Sequence, residues 1–170
     1  MTDLLRLALE FRALTLLVIG LLAAGLALLG SNRVRHQARV AQVALRWFLV
    51  FSIGVGFFHS GVSNCFFSDA AQHGPGWAPG AFQFQLGMAS LGFSAVGLVA
   101  AWGGLGMRLA ALLGPAVSIY GTALGRATGV AAGSPGSHLT DLVVPLIGFA
   151  LLAWQYRAQS RRSVFARSRL

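Results

Sequence analysis

The chain has 170 residues, of which 56% are hydrophobic and 10% are charged, and its mean hydropathy is +0.71. Soluble domains carry about 25% charged residues, so this composition excludes an ordinary water-soluble domain and predicts one integral membrane domain over residues 1–170. The formal charge of +9 comes from thirteen arginines with no lysine, and ten of them flank apolar segments. Such flanking charge is typical of the cytoplasmic side of a membrane protein, and it argues against a nucleic-acid partner.

Five apolar segments are long enough to cross a hydrocarbon core, which takes about 20 helical residues. We therefore predict an all-α transmembrane bundle of about five spans, at residues 13–30, 47–67, 82–102, 109–124 and 139–156. The first is a span and not a signal peptide, because Asp3 and Glu10 precede it and no cleavage-site pattern follows. Pro115 inside the fourth span predicts a kink or local unwinding.

The connections between spans predict which way the bundle sits. A loop rich in Gly and Pro covers residues 68–80, a tight turn covers 103–106, and a Gly/Ser/Pro loop covers 126–137. With five spans, ten arginines fall on the side of the C-terminus and only Arg6, Arg12 and Arg126 on the other. The arginine distribution predicts a multi-pass protein of the bacterial inner (plasma) membrane, with the N-terminus outside and residues 157–170 as a basic cytoplasmic tail.

Small residues recur three and four positions apart along the third span. Helices in lipid associate by close packing and interhelical hydrogen bonds, because apolar side chains gain nothing by leaving lipid tails. We therefore predict a central place in the bundle for this helix. Its packing seam comprises Gly87, Ser90, Ser94, Gly97, Ala101 and Gly104. A shorter row of the same kind leaves the fourth span at Gly121, Gly125 and Gly129.

Five ionisable residues map to the outer half of the bundle or to the outer loops: His59, Asp69, His73, His138 and Asp141. Together they could ligate a metal or relay protons, and ionisable groups at membrane depth are functional candidates. None stands at a recognised metal-ligand spacing, so we favour ordinary interfacial roles, leave any metal open and predict no cofactor. His59 lies inside the second span, where we favour a hydrogen bond to a neighbouring helix. The alternative for His59 is a haem, pigment or metal ligand, or a proton relay.

Three residues near the 68–80 loop are predicted anchors at the membrane edge: Trp77, Gln83 and Gln85. A Gln at the start of a span can satisfy backbone groups of a Gly/Pro-rich loop. The sequence contains no catalytic triad pattern, phosphate-binding Gly loop, zinc motif or paired carboxylates, which weakens an enzyme assignment without excluding it.

The loop and the start of the third span resemble an uncharacterised family of small bacterial polytopic membrane proteins. The matching stretches are Phe66-Phe67-Ser68-Asp69-Ala70-Ala71, Gly76-Trp77-Ala78-Pro79-Gly80-Ala81-Phe82-Gln83-Phe84-Gln85 and Ala89-Ser90-Leu91-Gly92. The family motif resembles Gly-Trp, then Ser-Pro-Phe-Gln-x-Glu, then Ala-Asn-Leu-Gly. This chain departs from it at Ala81, Gln85 and Ser90. Because Gln85 stands where the family has an acid, a charge-dependent role of that acid would be lost here. The resemblance implies a polytopic membrane fold and brings no activity with it.

Three functions follow as hypotheses. We favour a structural or accessory subunit that packs in lipid against other membrane subunits or its own copies, because small-residue seams are abundant and extramembrane segments are short. The alternative is a transporter or channel for a small solute or ion, suggested by Pro115 and the Gly/Pro loop. A cofactor-bearing redox protein using His59 is the least favoured.

Overall fold

The computed structural model describes residues 11–30, 37–67, 81–128 and 138–167. Within them the chain forms five helices: α1 Arg12–Leu29, α2 Gln37–Phe66, α3 Ala81–Ala100, α4 Leu105–Ala127 and α5 His138–Arg167. No strand occurs in these ranges. The all-α fold class predicted from the sequence is confirmed.

The first four helices are long and apolar enough to cross a membrane, with span hydropathies of 2.2 for α1, 1.7 for α2 and 1.3 for α3 and α4. Their outward faces carry large exposed hydrophobic side chains, such as Leu22 and Leu26 on α1. Exposing such side chains to water costs free energy in proportion to their area, whereas lipid accepts them. The fifth predicted span corresponds to α5, whose apolar residues 142–154 precede an arginine-rich end.

Two helices extend well beyond their predicted limits. The second begins at Gln37 and not at residue 47, because residues 37–46 form an amphipathic helix and not an apolar run. Ala38, Ala41 and Leu45 face the interior, so arginines on the opposite face do not disturb the helix. At the other end of the chain, α5 continues to Arg167, and residues 157–167 of the predicted tail are therefore helical.

Successive helices run antiparallel, so the bundle has two ends. Arg12 at the start of α1 contacts His59 near the end of α2, and Arg108 at the start of α4 contacts Gln155 in the second half of α5. We call the first the Arg12 end and the second the Arg108 end. The α1, α3 and α5 helices begin at the Arg12 end, and α2 and α4 begin at the Arg108 end.

The helix that contacts all four others is α2 and not α3, so the predicted central place of the third helix is wrong. The largest fully buried side chains, Phe48, Leu45 and Leu49, all belong to α2. Small residues allow α3 to approach one neighbour closely, but the bulky residues of α2 fill the space between several helices. Large buried side chains, and not small residues, therefore identify the central helix of the bundle.

Two features of the helix backbone differ from the sequence-based expectation. Residues Leu49–Val55 of α2 form a π-helical segment, a rare geometry that often marks functional sites. The α4 helix runs without interruption through Pro115, which is buried, so no local unwinding occurs there, and the alternative, a kink, stays a prediction. Proline removes a single donor from the helix ladder, and the buried neighbours Ala111, Leu112 and Ala116 hold the helix in place around it.

Candidate functional site

The most unusual group in the described bundle is the guanidinium of Arg108, which is 2% exposed. The Arg108 side chain binds three parts of the chain at once. Its Nε donates to the carbonyl oxygen of Gly103 at 3.1 Å, and one terminal nitrogen donates to the carbonyl of Ala101 at 2.9 Å. The other terminal nitrogen donates to Gln155 Oε1 at 2.8 Å and to the carbonyl of Gln42 at 3.4 Å. We call this set the Arg108 clamp.

The acceptors of the Arg108 clamp explain why a buried cation is tolerated. The carbonyls of Ala101 and Gly103 lie just after the end of α3, where the last carbonyls of a helix lack partners within the helix. They also lie at the negative end of its dipole, which favours a cation. No described carboxylate bonds to Arg108, so neutral oxygens alone offset the loss of hydration. One charge thereby joins α2, the α3–α4 turn and α5.

A second polar cluster lies at the Arg12 end and joins α1 to α2. One terminal nitrogen of Arg12 lies 2.9 Å from His59 Nδ1, and the other donates to Ser60 Oγ at 3.3 Å. Ser63 Oγ lies 3.5 Å from the same Nδ1. An arginine can only donate hydrogen bonds, so His59 Nδ1 accepts and the neutral ring carries its proton on Nε2.

This tautomer bears on the roles considered for His59. A metal or haem iron needs an unprotonated ring nitrogen. Ligation through Nε2 would move the proton to Nδ1, where it would oppose the N–H of Arg12. The described geometry therefore matches the interhelical hydrogen bond that we favoured, with Arg12 as its partner.

The remaining members of the outer ionisable group are not brought together in the described structure. Asp69 and His73 lie outside the described residues, and the side chains of His138 and Asp141, in the first turn of α5, lie outside them too. Among the side chains that are described, no three His, Cys, Asp or Glu residues form a group able to hold a metal.

The small residues of α3 face α2 at very short range. A Cβ added at Gly97 would lie 2.6 Å from Ile53 Cγ2, and one added at Gly87 would lie 3.0 Å from the carbonyl oxygen of Gly61. Ser94, also buried, donates from Oγ to the carbonyl of Gly54 at 2.7 Å. The close approach is reciprocal, because Gly54 and Gly61 of α2 likewise have no room for a Cβ.

The other seam residues take different positions. Ser90 is buried and donates to the carbonyl of Leu86 in its own helix at 2.9 Å. Ala101 is fully buried in the turn after α3. Gly104 is exposed and forms the N-cap of α4 in an extended conformation, so it lies beyond the seam that α3 makes with α2.

The predicted loop anchors are only partly described. Trp77 lies outside the described residues, and Gln85 is exposed at the start of α3. Gln83 has a buried Nε2 without a hydrogen-bond partner in the described part of the chain.

Sequence reasoning missed Arg108 as a site. In the sequence, Arg108 contributes only to the arginine distribution that predicts the orientation of the bundle, because a single arginine after a glycine turn belongs to no motif. The one available signal was position: Arg108 is the sole charged residue between 47 and 125 apart from Asp69. An isolated charge at a span boundary needs a partner, and Gln155 on another helix cannot be identified from spacing.

One glycine of α4, Gly121, points away from the bundle. No described atom lies within 4 Å of a Cβ built on Gly121, and Gly125 follows one turn later. The flanking side chains Val117 and Leu124 are 71% and 66% exposed. The α4 helix therefore presents an apolar outer face around Gly121, and we call it the α4 outer face.

Comparison with known proteins gives one match. The model of a family described as a family of unknown function (DUF6790) matches residues 10–161. No curated protein and no solved structure matches the chain.

Proposed function

The chain belongs to the DUF6790 family of unknown function, and from that premise we propose that it is an accessory subunit that packs against another membrane-spanning helix. The occupant of the α4 outer face is a helix of a partner subunit or of a second copy of the chain. The observation that carries this proposal is the outward-facing Gly121 between the large exposed apolar residues Val117 and Leu124.

Small residues also mediate the contacts between helices inside the bundle. Interfaces between membrane helices are enriched in small residues, which let two backbones approach closely. Inside the bundle, Gly54, Gly61, Gly87 and Gly97 each lie against a neighbouring helix with no room for a Cβ. Gly121 lies on α4 beside the exposed side chains of Val117 and Leu124, and no described helix covers it.

The inside of the bundle also suits a structural role. The Arg108 clamp and the Arg12–His59 pair each join separate helices through direct hydrogen bonds. Polar groups in a bundle that carry substrates or protons commonly line a cavity or pathway. Here Arg12 and Arg108 act as fixed links between helices, which favours a rigid platform over a moving one.

We further propose that the protein lies in the inner membrane of a bacterial cell with its Arg108 end in the cytoplasm. Described arginines of that end include Arg39, Arg46, Arg108 and Arg157. An excess of arginine near span ends marks the cytoplasmic side. Cysteine labelling of intact cells tests the orientation: a cysteine placed at Gln159 is expected to react only after the cells are opened.

Co-purification in mild detergent tests the subunit function. We compare the wild type with Gly121→Leu, and with Gly92→Leu as a matched control. Gly92 on α3 is exposed and has no described atom within 4 Å of its added Cβ. The residues four positions before and after it are Met88 and Val96, so it does not belong to a glycine row. A Cβ at either position would have no described atom within 4 Å, so both leucine variants should fold.

The expected result is a discrete higher-mass complex for the wild type and Gly92→Leu, identified by mass spectrometry, and its loss in Gly121→Leu. A wild type that runs as a single free chain in several mild detergents and in native nanodiscs would contradict the proposal. Equal complex formation by all three proteins would place the contact on another face.

A second candidate function is passage of a small solute or ion, which the π-helical segment of α2 favours. Ser52 in that segment is buried, and its Oγ has no hydrogen-bond partner in the described part of the chain. An unpaired hydroxyl in a wide helical turn is a position where an ion or water binds readily. Solute flux in reconstituted vesicles that Ser52→Ala abolishes would support this function, and flux equal to that of empty vesicles would reject it.

A further inference from the structure

The Arg108 end carries a second arginine whose surroundings point to a ligand. The Cζ of Arg46 lies 4.6 Å from the centroid of the Trp102 ring. Trp102 is 64% exposed on the turn after α3, and Arg46 is half-buried on α2. A tryptophan of this kind is typical of the headgroup level of a bilayer. The pair therefore lies at the edge of the membrane, where α2 and the α3–α4 turn meet.

The charges at this end of the bundle favour an anion. Arg46 and Arg108 both belong to the Arg108 end, and two cations repel each other. The oxygens bonded to Arg108 are all neutral, so none of them offsets the charge of Arg46. The acid of α5, Asp141, lies in its first turn, about 20 Å along the helix from Gln155.

We propose that Arg46 and Trp102 form a binding site for the phosphate of an anionic phospholipid. Arginine binds phosphate oxygens through two parallel hydrogen bonds, and the contact with the Trp102 ring helps to hold the Arg46 guanidinium at the end of the bundle. The indole N–H supplies another donor. A headgroup with its own cation, such as phosphocholine, would be repelled by the two arginines.

The surface beside this pair suits the acyl chains of a lipid, which a free phosphate ion does not have. Val99, one turn before Trp102, is a large exposed hydrophobic residue, and Met107 in the first turn of α4 is another. They continue the site toward the bilayer centre, where only a molecule with a hydrocarbon tail gains by contacting them. This lipid site does not depend on the subunit function, because it lies at the end of the bundle and not on the α4 outer face.

Thermal unfolding of the full chain in neutral detergent, with added lipid, tests the site. The probes are phosphatidylglycerol, phosphatidylcholine and inorganic phosphate. We expect a saturable rise in Tm with phosphatidylglycerol alone. Arg46→Gln should raise the half-maximal lipid concentration at least about tenfold, since a charge-assisted hydrogen bond is lost. Arg157→Gln, which removes an exposed arginine of the same end, should leave it within about twofold.

Trp102→Leu gives an independent check if Arg46→Gln does not fold. Trp102 is exposed, so its replacement should leave the fold intact while lipid binding weakens about threefold or more. An unchanged lipid response in whichever of these two variants folds would overturn the site. So would an equal response to phosphatidylcholine, and a response that inorganic phosphate reproduces would show a free-ion site and overturn the lipid assignment.

Discussion

Replacement of Arg108 by methionine tests the Arg108 clamp most severely. Methionine keeps much of the side-chain volume but removes all four hydrogen bonds of the guanidinium. The three shorter ones, at 2.8, 2.9 and 3.1 Å, would contribute about 5–9 kcal/mol at the usual value for bonds to a charged group. Desolvation of the guanidinium offsets several kcal/mol of that sum. We therefore expect Arg108→Met to lower the free energy of unfolding by about 2–4 kcal/mol.

A double-mutant cycle with Gln155→Leu isolates one bond of the clamp. The coupling energy between Arg108 and Gln155 should be about 1–2 kcal/mol, above the average for hydrogen bonds in membrane bundles because one partner is charged. The assay is reversible unfolding in mixed micelles with increasing SDS, followed by circular dichroism. Arg157→Met is the control and should change stability by less than about 0.5 kcal/mol. Additive effects of the two clamp mutations, within about 0.3 kcal/mol, would refute the assignment of the clamp.

Three further variants address the helix contacts. Gly61→Ala should destabilise the fold by about 1–3 kcal/mol, because the new Cβ would lie 2.6 Å from a leucine side chain and 2.9 Å from a carbonyl oxygen of α3. The control, Gly92→Ala, has open space around it and should be neutral or slightly stabilising in the same unfolding assay. Ser94→Ala should cost about 0.5–1.5 kcal/mol, and no loss would show that its bond to α2 contributes nothing. Arg12→Gln should weaken the preference of His59 for a proton on Nε2, which nitrogen-15 NMR of the imidazole detects; an unchanged tautomer would contradict the assigned contact.

The fold was largely predictable because hydropathy and helix length act on whole segments. Each of the five predicted spans falls on one of the five described helices, and the first four helices are long and apolar enough to cross a membrane. An apolar run that crosses a membrane must satisfy its backbone internally, which favours a helix. Helix ends were less predictable where the apolar pattern changes to an amphipathic one. The start of α2 at Gln37 was missed because its arginines interrupt the apolar run, although the small residues on the opposite face continue the helix.

The site was less predictable because it depends on contacts between distant residues. The π-helical segment Leu49–Val55 has no simple residue pattern, and the helices that it contacts are distant in the sequence. The Arg108 clamp joins residues more than forty positions apart in the sequence, and its acceptors are mostly backbone carbonyls that any residue supplies. Sequence spacing could identify small residues on one face of α3, but not which helix would be central.

Photo-crosslinking in intact cells tests the central claim, that the α4 outer face binds another membrane helix. A benzophenone amino acid is placed at Val117 on that face and, as the matched control, at Val99 on α3, both of which are exposed apolar positions. We expect one discrete crosslinked protein species from position 117, whose mass identifies a partner subunit or a second copy, and no protein crosslink from position 99. No crosslinked protein from position 117, or the same species from both positions, would contradict the account.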